Sequence, residues 1–209
     1  CCCCCCCCCC CSCGRATMSE ARWSRAAFAA EARAWTAPAA ARASEFLAAW
    51  AWVGADSREN GDGSGDGDGD GSGDGGFLAR RDARRLGADR IRVETHVAWS
   101  PAYEAPTLWY RATREDDPAV DETHRVEVAP DAPVGPELHP VLDEWFYSPH
   151  PCMAAEAAAL VAVRGDRERV PGERLLAWWS VAAPLIRAGL SPADHVAVLE
   201  ALLPFTIPS

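Results

Sequence analysis

The stretch RIRVETHVAW, Arg90–Trp99, decides the fold class because its apolar and polar residues alternate. Alternation with a period of two is typical of a β-strand that buries one face of a sheet. The expected buried face carries Ile91, Val93, Thr95, Val97 and Trp99. The other face carries Arg92, Glu94 and His96. We therefore predict that His96 lies on the solvent side of its strand.

Further strand-like segments flank this stretch. FLARRD (77–82) precedes it, and TLWYRAT (107–113) follows a connection that contains two prolines. THRVEVAP (123–130) predicts a shorter and weaker strand. Consecutive strands with short connections usually lie side by side, so these segments predict an antiparallel meander sheet of about four strands.

Helical patterns occupy both ends of the chain. Before the strands lie SEARWSRAAFAAEARAW (19–35), with Ser19 as the expected N-cap, and AAARASEFLAAWAWV (39–53). After them come MAAEAAALVAV (153–163), GERLLAWWSVAAPLI (172–186) and SPADHVAVLEALL (191–203), the last with Ser191 as N-cap and Pro192 at the first helical position. The order predicts an α+β fold with an N-terminal helix, a sheet and C-terminal helices.

Two adjacent tryptophans, Trp178 and Trp179, lie in the second of these C-terminal helices. Neighbouring side chains on a helix diverge by about 100°, so only one of the two has to enter the core. The other is either partly buried at a junction of helix and sheet, which we favour, or available to a partner.

Two low-complexity segments interrupt the chain. Residues 1–17 contain twelve of the thirteen cysteines, without the spacing of a metal site, and we expect this tract to be non-native or disordered rather than a palmitoylated anchor. The glycine and aspartate run at about 56–76 is expected to be a disordered insertion in one domain, 18–209. Asp66, Asp68 and Asp70 imitate the start of a calcium loop, but Phe77 stands where its bidentate glutamate belongs, so no metal is predicted.

Charge and hydropathy exclude several classes of function. The net charge is −10, half of it from aspartates of the insertion, and the arginines are scattered among carboxylates. No basic stripe therefore indicates a nucleic-acid surface. No window approaches the roughly 18 consecutive apolar residues that span a bilayer, so we predict no transmembrane segment and a cytoplasmic location.

Cys152, in YSPHPCMAAEAAAL (147–160), is the single cysteine outside the N-terminal tract. Pro151 favours extended backbone at His150, so the side chains of His150 and Cys152 could point to the same side. A helix that begins just after Met153 would also favour the thiolate. These local features permit either a nucleophile or a buried packing residue.

Three ordered blocks around Cys152 resemble the family of ubiquitin-like carrier enzymes typified by autophagy-related protein ten. HPVLDEWFYSPHPCMA (139–154) is similar to the family's active-site segment, in which a His-Pro-Cys tripeptide holds the thioester-forming cysteine. The strand pair VETHVAWSPAYEAPTLWYRA (93–112) carries the family pattern at Glu94, His96, Val97, Ser100, Tyr103, Pro106, Leu108, Arg111 and Ala112. The helical tail offers Trp178, Ser180, Pro184 and Leu190, and GFLARR resembles the first strand of the family's sheet.

The resemblance implies a ubiquitin-conjugating-like fold with Cys152 as the catalytic cysteine. It implies that Cys152 accepts the ubiquitin-like autophagy protein twelve from its activating enzyme and passes it to a lysine of autophagy protein five, without a cofactor. Ubiquitin carriers place an asparagine after a His-Pro pair to hold the oxyanion, but Val141 follows His139-Pro140 here. Candidates for polar support are therefore His150, Tyr110 and, more weakly, His139.

Two alternatives remain open. A cysteine hydrolase would use Cys152 with His139 or His150 as its base, but papain-like enzymes place the histidine far downstream, where this chain has His195 alone. A non-catalytic adaptor would keep the fold without the thioester chemistry.

Overall fold

The computed structural model describes residues 23–54, 75–129, 132–149 and 170–203. Several predictions fall on the remaining residues and lie outside the described part of the chain. They concern the cysteine tract, the N-cap Ser19, the insertion, the helix at 153–163, and the pair His150 and Cys152.

Helices stand at both ends of the described chain, with the strands between them. The helices are α1 (Arg25–Trp35), α2 (Pro38–Ala43), α3 (Glu45–Ala48), α4 (Glu173–Ala182) and α5 (Pro192–Leu202), with short 3-10 helices at Thr123–Arg125 and Ala183–Ile186. The strands are β1 (Trp50–Gly54), β2 (Gly76–Leu86), β3 (Asp89–Ser100), β4 (Ala105–Arg114), β5 (Val134–Leu138) and β6 (Trp145–Pro149). This arrangement confirms the predicted α+β fold with helices at both ends.

The sheet is antiparallel and has the strand order β1-β2-β3-β4-β6-β5. It contains six strands where about four were expected. The prediction of a strand at 123–130 was wrong, because Thr123–Arg125 form a 3-10 helix and Asp121 alone bridges to Thr113. Thr123 instead uses its hydroxyl to accept the amide of Ala112, which holds this segment against β4.

β1 occupies a segment that was predicted to be helical. The short helix α3 ends at Ala48, and Trp50 begins a strand that pairs with β2. Trp50 and Trp52, two positions apart, project to the same face. There Trp50 packs edge-on against Trp35, and Trp52 packs against Phe28 of α1. Burial of these large rings therefore outweighs the helical preference of the neighbouring alanines.

The main core lies between the sheet and the helices. Trp50 and Trp179 meet edge-to-face with ring centroids 5.1 Å apart, and Trp35 and Phe46 surround them. Trp178 and Trp179 are both fully buried, so neither tryptophan of the pair is free to meet a partner. Because neighbouring side chains on a helix diverge by about 100°, the core must cover a broad part of the surface of α4 to bury both.

The start of α4 is fixed by contacts from α1. The carboxylate of Glu31 accepts hydrogen bonds from the amides of Gly172, at 2.8 Å, and Leu175, at 3.3 Å. The indole of Trp35 donates to the carbonyl of Gly172 at 3.0 Å. Because the first amides of a helix have no partner within it, Glu31 acts as a cap supplied by another helix.

Candidate active site

Strand β6 ends at Pro149, directly before His150 and Cys152 in the sequence, and Pro149 is the last described residue before these two. β6 lies between β4 and β5, and Pro149 pairs with Val134 of β5. Ser148 and Pro149 are buried, and the hydroxyl of Ser148 donates to the carbonyl of Pro149. The sheet therefore holds the approach to the candidate cysteine from both sides.

His139 closes the connection between β5 and β6. Its Nδ1 accepts the amides of Val141, at 3.2 Å, and Leu142, at 3.1 Å. Its backbone amide donates to the carbonyl of Glu144 at 2.8 Å. A ring nitrogen that accepts two amides carries no proton, so Nδ1 of His139 is unprotonated in this turn.

His96 is buried, and the prediction that it faces solvent was wrong. Only 1% of its surface is exposed. Its ring lies 4.5 Å from that of Phe77, 4.8 Å from Phe146 and 5.2 Å from His139, measured between centroids. Burial lowers the pKa of His96, and the neighbouring Glu94 opposes this shift without reversing it.

This burial arises because the outer face of the sheet has a small core of its own. Phe77, Ala98, Trp109 and Phe146 form it, and Val141 and Leu142 from the turn after His139 pack against it. Strand alternation identifies which residues share a face, but the covering turn at His139 to Leu142, more than 40 residues after His96, decides whether that face is exposed to solvent.

Glu94 is the centre of an ion network beside His96. Its Oε1 accepts Arg81 at 2.9 Å and 2.7 Å, and its Oε2 accepts Arg111 at 2.8 Å. Nε2 of His96 lies 3.4 Å from Oε1, which is longer than a well-formed hydrogen bond. Burial alone would raise the pKa of Glu94, but the neighbouring His96, the donor Arg81 and the charge of Arg111 hold it well below its usual range.

Arg111 connects this network to the strand that leads to Cys152. Its Nη1 donates to Glu144 at 2.7 Å, directly before β6, and its guanidinium lies 4.4 Å from the ring centre of Phe146. Arg111 is therefore a positioning residue for β6. Sequence reasoning assigned it no role, although Glu94 and Arg111 are oppositely charged and directly paired across β3 and β4.

Tyr110 lies on the helix-covered face of the sheet. It is 2% exposed and pairs with Tyr147 of β6, with ring centroids 6.1 Å apart. Burial first, and the neighbouring Tyr147 second, raise the pKa of Tyr110 to about 12. A phenol with this pKa stays protonated near neutral pH, so Tyr110 can donate a proton in a hydrogen bond but cannot serve as a base.

The structure does not bring Tyr110 and His139 together. Tyr110 belongs to the main core beneath the helices, whereas His139 contacts Phe77 and Phe146 on the outer face. They approach β6 from opposite sides, and the supporting roles assigned to them stay predictions. His195, the downstream histidine considered for a hydrolase, lies on α5, and its Nδ1 is 3.2 Å from the hydroxyl of Ser180.

Neither a metal centre nor a membrane span is found in the described ranges. Within residues 23–54, 75–129, 132–149 and 170–203, no three His, Cys, Asp or Glu residues are grouped to hold a metal ion. None of the helices in those ranges is both long and apolar enough to cross a bilayer.

Comparison with known proteins identifies a family. The family model described as "Autophagocytosis associated protein, active-site domain" matches residues 27–191, which include β1 to β6, Cys152 and α4. No curated protein matches the chain.

Proposed function

Because this chain belongs to the family of the autophagocytosis-associated active-site domain, whose members are ubiquitin-like conjugating enzymes of autophagy, we propose that it is the carrier for autophagy protein twelve. Cys152 holds the modifier as a thioester and transfers it to a lysine of autophagy protein five, in the cytoplasm. This assignment corresponds to autophagy-related protein ten within the family.

The observation that carries the proposal is the family match across the only cysteine outside residues 1–13. The described structure supports it by anchoring β6, the strand before Cys152, between two neighbours and through Arg111. A carrier needs an accessible sulfur at a fixed place more than it needs a strong base, because thioester exchange replaces one thiol by another of similar energy.

The proposed reaction has two balanced steps. The thiolate of Cys152 attacks the carbonyl carbon of the modifier's C-terminus, and the activating enzyme's sulfur leaves as a thiolate. The amine of the acceptor lysine then attacks the same carbon, loses a proton and forms an isopeptide bond while the thiolate of Cys152 departs. In both steps negative charge develops on the carbonyl oxygen, which a hydrogen-bond donor stabilises.

Three residues are proposed as polar support in place of the absent asparagine. Tyr110 is a permanent donor on one side of β6 because its pKa is about 12. His139 acts mainly through the turn that it closes, since its Nδ1 is engaged by two amides. His150, two residues before Cys152, is the remaining candidate.

A thioester assay tests the proposal. The full chain is mixed with the activating enzyme, ATP and autophagy protein twelve, and the products are separated with and without a thiol reductant. We expect a reductant-sensitive band that disappears in Cys152→Ala. In Cys152→Ser we expect a band that resists the reductant and yields to base, as an oxygen ester does.

The N-terminal cysteines require a matched control. A variant with all twelve of them changed to serine should still form the band, which separates Cys152 from the tract. A band that persists in Cys152→Ala but is lost in the serine variant would refute Cys152 as the acceptor. Cleavage of a small ester without ATP would instead indicate a hydrolase.

A further inference from the structure

Four exposed arginines gather on the outer face of the sheet, at the end where β2 turns into β3. They are Arg81 and Arg85 of β2 and Arg90 and Arg92 of β3. Arg85 pairs directly with Arg90, and Ala83, between Arg81 and Arg85, pairs with Arg92. Paired residues of antiparallel strands project to the same face, so the four side chains form one arginine patch around Ala83.

The arrangement works against the stability of the sheet. Like charges directly opposite each other on neighbouring strands repel, and Arg85 and Arg90 are such a pair. Arg92 lies diagonally from Arg81 and Arg85, within reach of long side chains.

Half of the patch is not neutralised within the described chain. Arg81 bonds to Glu94, and Arg90 bonds to Glu115 at 2.7 Å. Among the described residues, Arg85 and Arg92 form neither a hydrogen bond nor an ion pair. Arg81 also keeps 70% of its side chain exposed, so its guanidinium remains accessible.

We propose that the arginine patch is a docking surface for a protein partner that presents clustered carboxylates. Guanidinium groups bind carboxylates through two parallel hydrogen bonds, and a patch of four such groups can hold several carboxylates at once. The patch lies on the outer face of the sheet, away from the helices, and it acts independently of the chemistry proposed for Cys152.

The surroundings of the patch favour a compact carboxylate cluster over other polyanions. Acidic side chains, including Glu115 and the exposed Asp116, adjoin it, and the whole chain has a net charge of −10. A nucleic acid carries phosphates continuously along its length and would meet these acids beyond the patch. A membrane partner is disfavoured because the centre of the patch is Ala83, without a large apolar side chain to enter lipid.

The test measures binding of a fluorescent decaglutamate peptide to the full chain by anisotropy, at low salt of about 50 mM, where screening is weak. Arg92→Glu should weaken binding about ten-fold or more, since a charge-assisted contact is replaced by repulsion. Arg42→Glu, an exposed arginine on α2, makes the same change of net charge and should leave affinity within about two-fold. Equal weakening by both variants, or no binding at all, would overturn the proposal.

A second variant guards against loss of folding. Arg85→Glu should also weaken decaglutamate binding, yet it places opposite charges across from each other at Arg90 and should keep or raise the Tm. Unchanged decaglutamate binding by an Arg85→Glu variant whose Tm is kept or raised would contradict the assignment. Tighter binding of labelled single-stranded DNA or of phosphatidylserine vesicles than of decaglutamate, abolished by Arg92→Glu, would replace the protein partner by that ligand.

Discussion

The guanidinium of Arg111 donates a 2.8 Å hydrogen bond to the buried carboxylate of Glu94. The same guanidinium reaches Glu144 and lies over Phe146, so one side chain ties β3, β4 and the strand before Cys152 together. The network is therefore relevant both to stability and to the position of the candidate site.

Removal of the Glu94 carboxylate should destabilise the protein. Glu94→Ala leaves Arg81 and Arg111 without their shared partner, and we expect a loss of about 1 to 3 kcal/mol, moderated because both arginines reach solvent. Urea unfolding measures the change. Glu200→Ala on the exposed face of α5 is the control and should stay within about 0.5 kcal/mol. If Glu94→Ala lowered the free energy of unfolding no more than the control does, the ion network would make no contribution to stability.

Stability should fall as the pH drops below 6.5, the ordinary pKa of histidine. The pKa of His96 is lowered in the folded protein, so the unfolded chain takes up the proton first and acid favours unfolding. The pKa of Glu94 is also lowered, but its contribution is lost only below 4.5. Thermal unfolding between about pH 7.5 and 5.5 therefore follows His96 outside the range in which Glu94 titrates.

His96→Phe, which keeps an aromatic ring between Phe77 and Phe146, should reduce this dependence on pH. His124→Asn, at an exposed position, should leave it unchanged. If the Tm of His96→Phe depended on pH as steeply as that of the wild type, His96 would not be the cause of the pH dependence.

Gly172 should not tolerate alanine. Its φ is +92°, and an added Cβ would lie 2.8 Å from Leu202 and 3.0 Å from Trp35. We expect Gly172→Ala to lower the free energy of unfolding by more than about 2 kcal/mol, through backbone strain and overpacking together. Gly87→Ala has a φ of +65° and open space, so it measures the strain alone and should lower stability by about 1 kcal/mol. Equal losses would mean that the neighbours of Gly172 adjust freely.

Trp179 and Trp145 differ widely in solvent exposure, so their replacement by alanine should change the free energy of unfolding by very different amounts. Trp179→Ala removes a fully buried ring and should lower stability by about 3 to 5 kcal/mol. Trp145→Ala removes a ring that is 69% exposed and should change stability by less than about 1 kcal/mol. Chemical unfolding of both variants checks this, and a large loss in Trp145→Ala would require contacts beyond the described residues.

Tyr110→Phe should separate the role of the hydroxyl as a hydrogen-bond donor from the role of the ring in packing. The ring is retained, so we expect modifier loading on Cys152 to persist, while discharge to lysine slows by about ten-fold or more if the hydroxyl supports the oxyanion. Because the pKa of Tyr110 is about 12, the pH profile of discharge should keep its shape. A changed profile would assign Tyr110 an acid-base role, and unchanged discharge would remove it from the site.

Local patterns predicted a good part of this architecture. The alternation at Ile91 to Trp99 identified β3 and its core face, and Ser191 caps α5 by accepting the amide of Asp194. These features depend on neighbours in sequence, which is why they are readable there. The strand at Trp50 was missed because large aromatic rings gain more from burial in a remote core than a short helix gains from alanine.

The candidate site divides in the same way. Cys152 is a candidate that rests on its isolation and its flanking residues in the sequence, whereas the positioning role of Arg111 required the register of β3, β4 and β6. His96 was expected to face solvent because a polar residue in an alternating strand usually does; the turn closed by His139 covers it instead.

By itself the sequence determined the order of helices and strands, the core face of β3, and the family. These could be read directly because periodicity, helix caps and motifs are local properties of the sequence. The tertiary structure alone decided that His96 is buried, that both Trp178 and Trp179 enter the core, and that the register of one hairpin places Arg81, Arg85, Arg90 and Arg92 on the same exposed face. The period of the sequence shows which side chains share a face of a strand. Whether that face is covered depends on segments far away in the chain, and which charges lie side by side depends on the register of neighbouring strands.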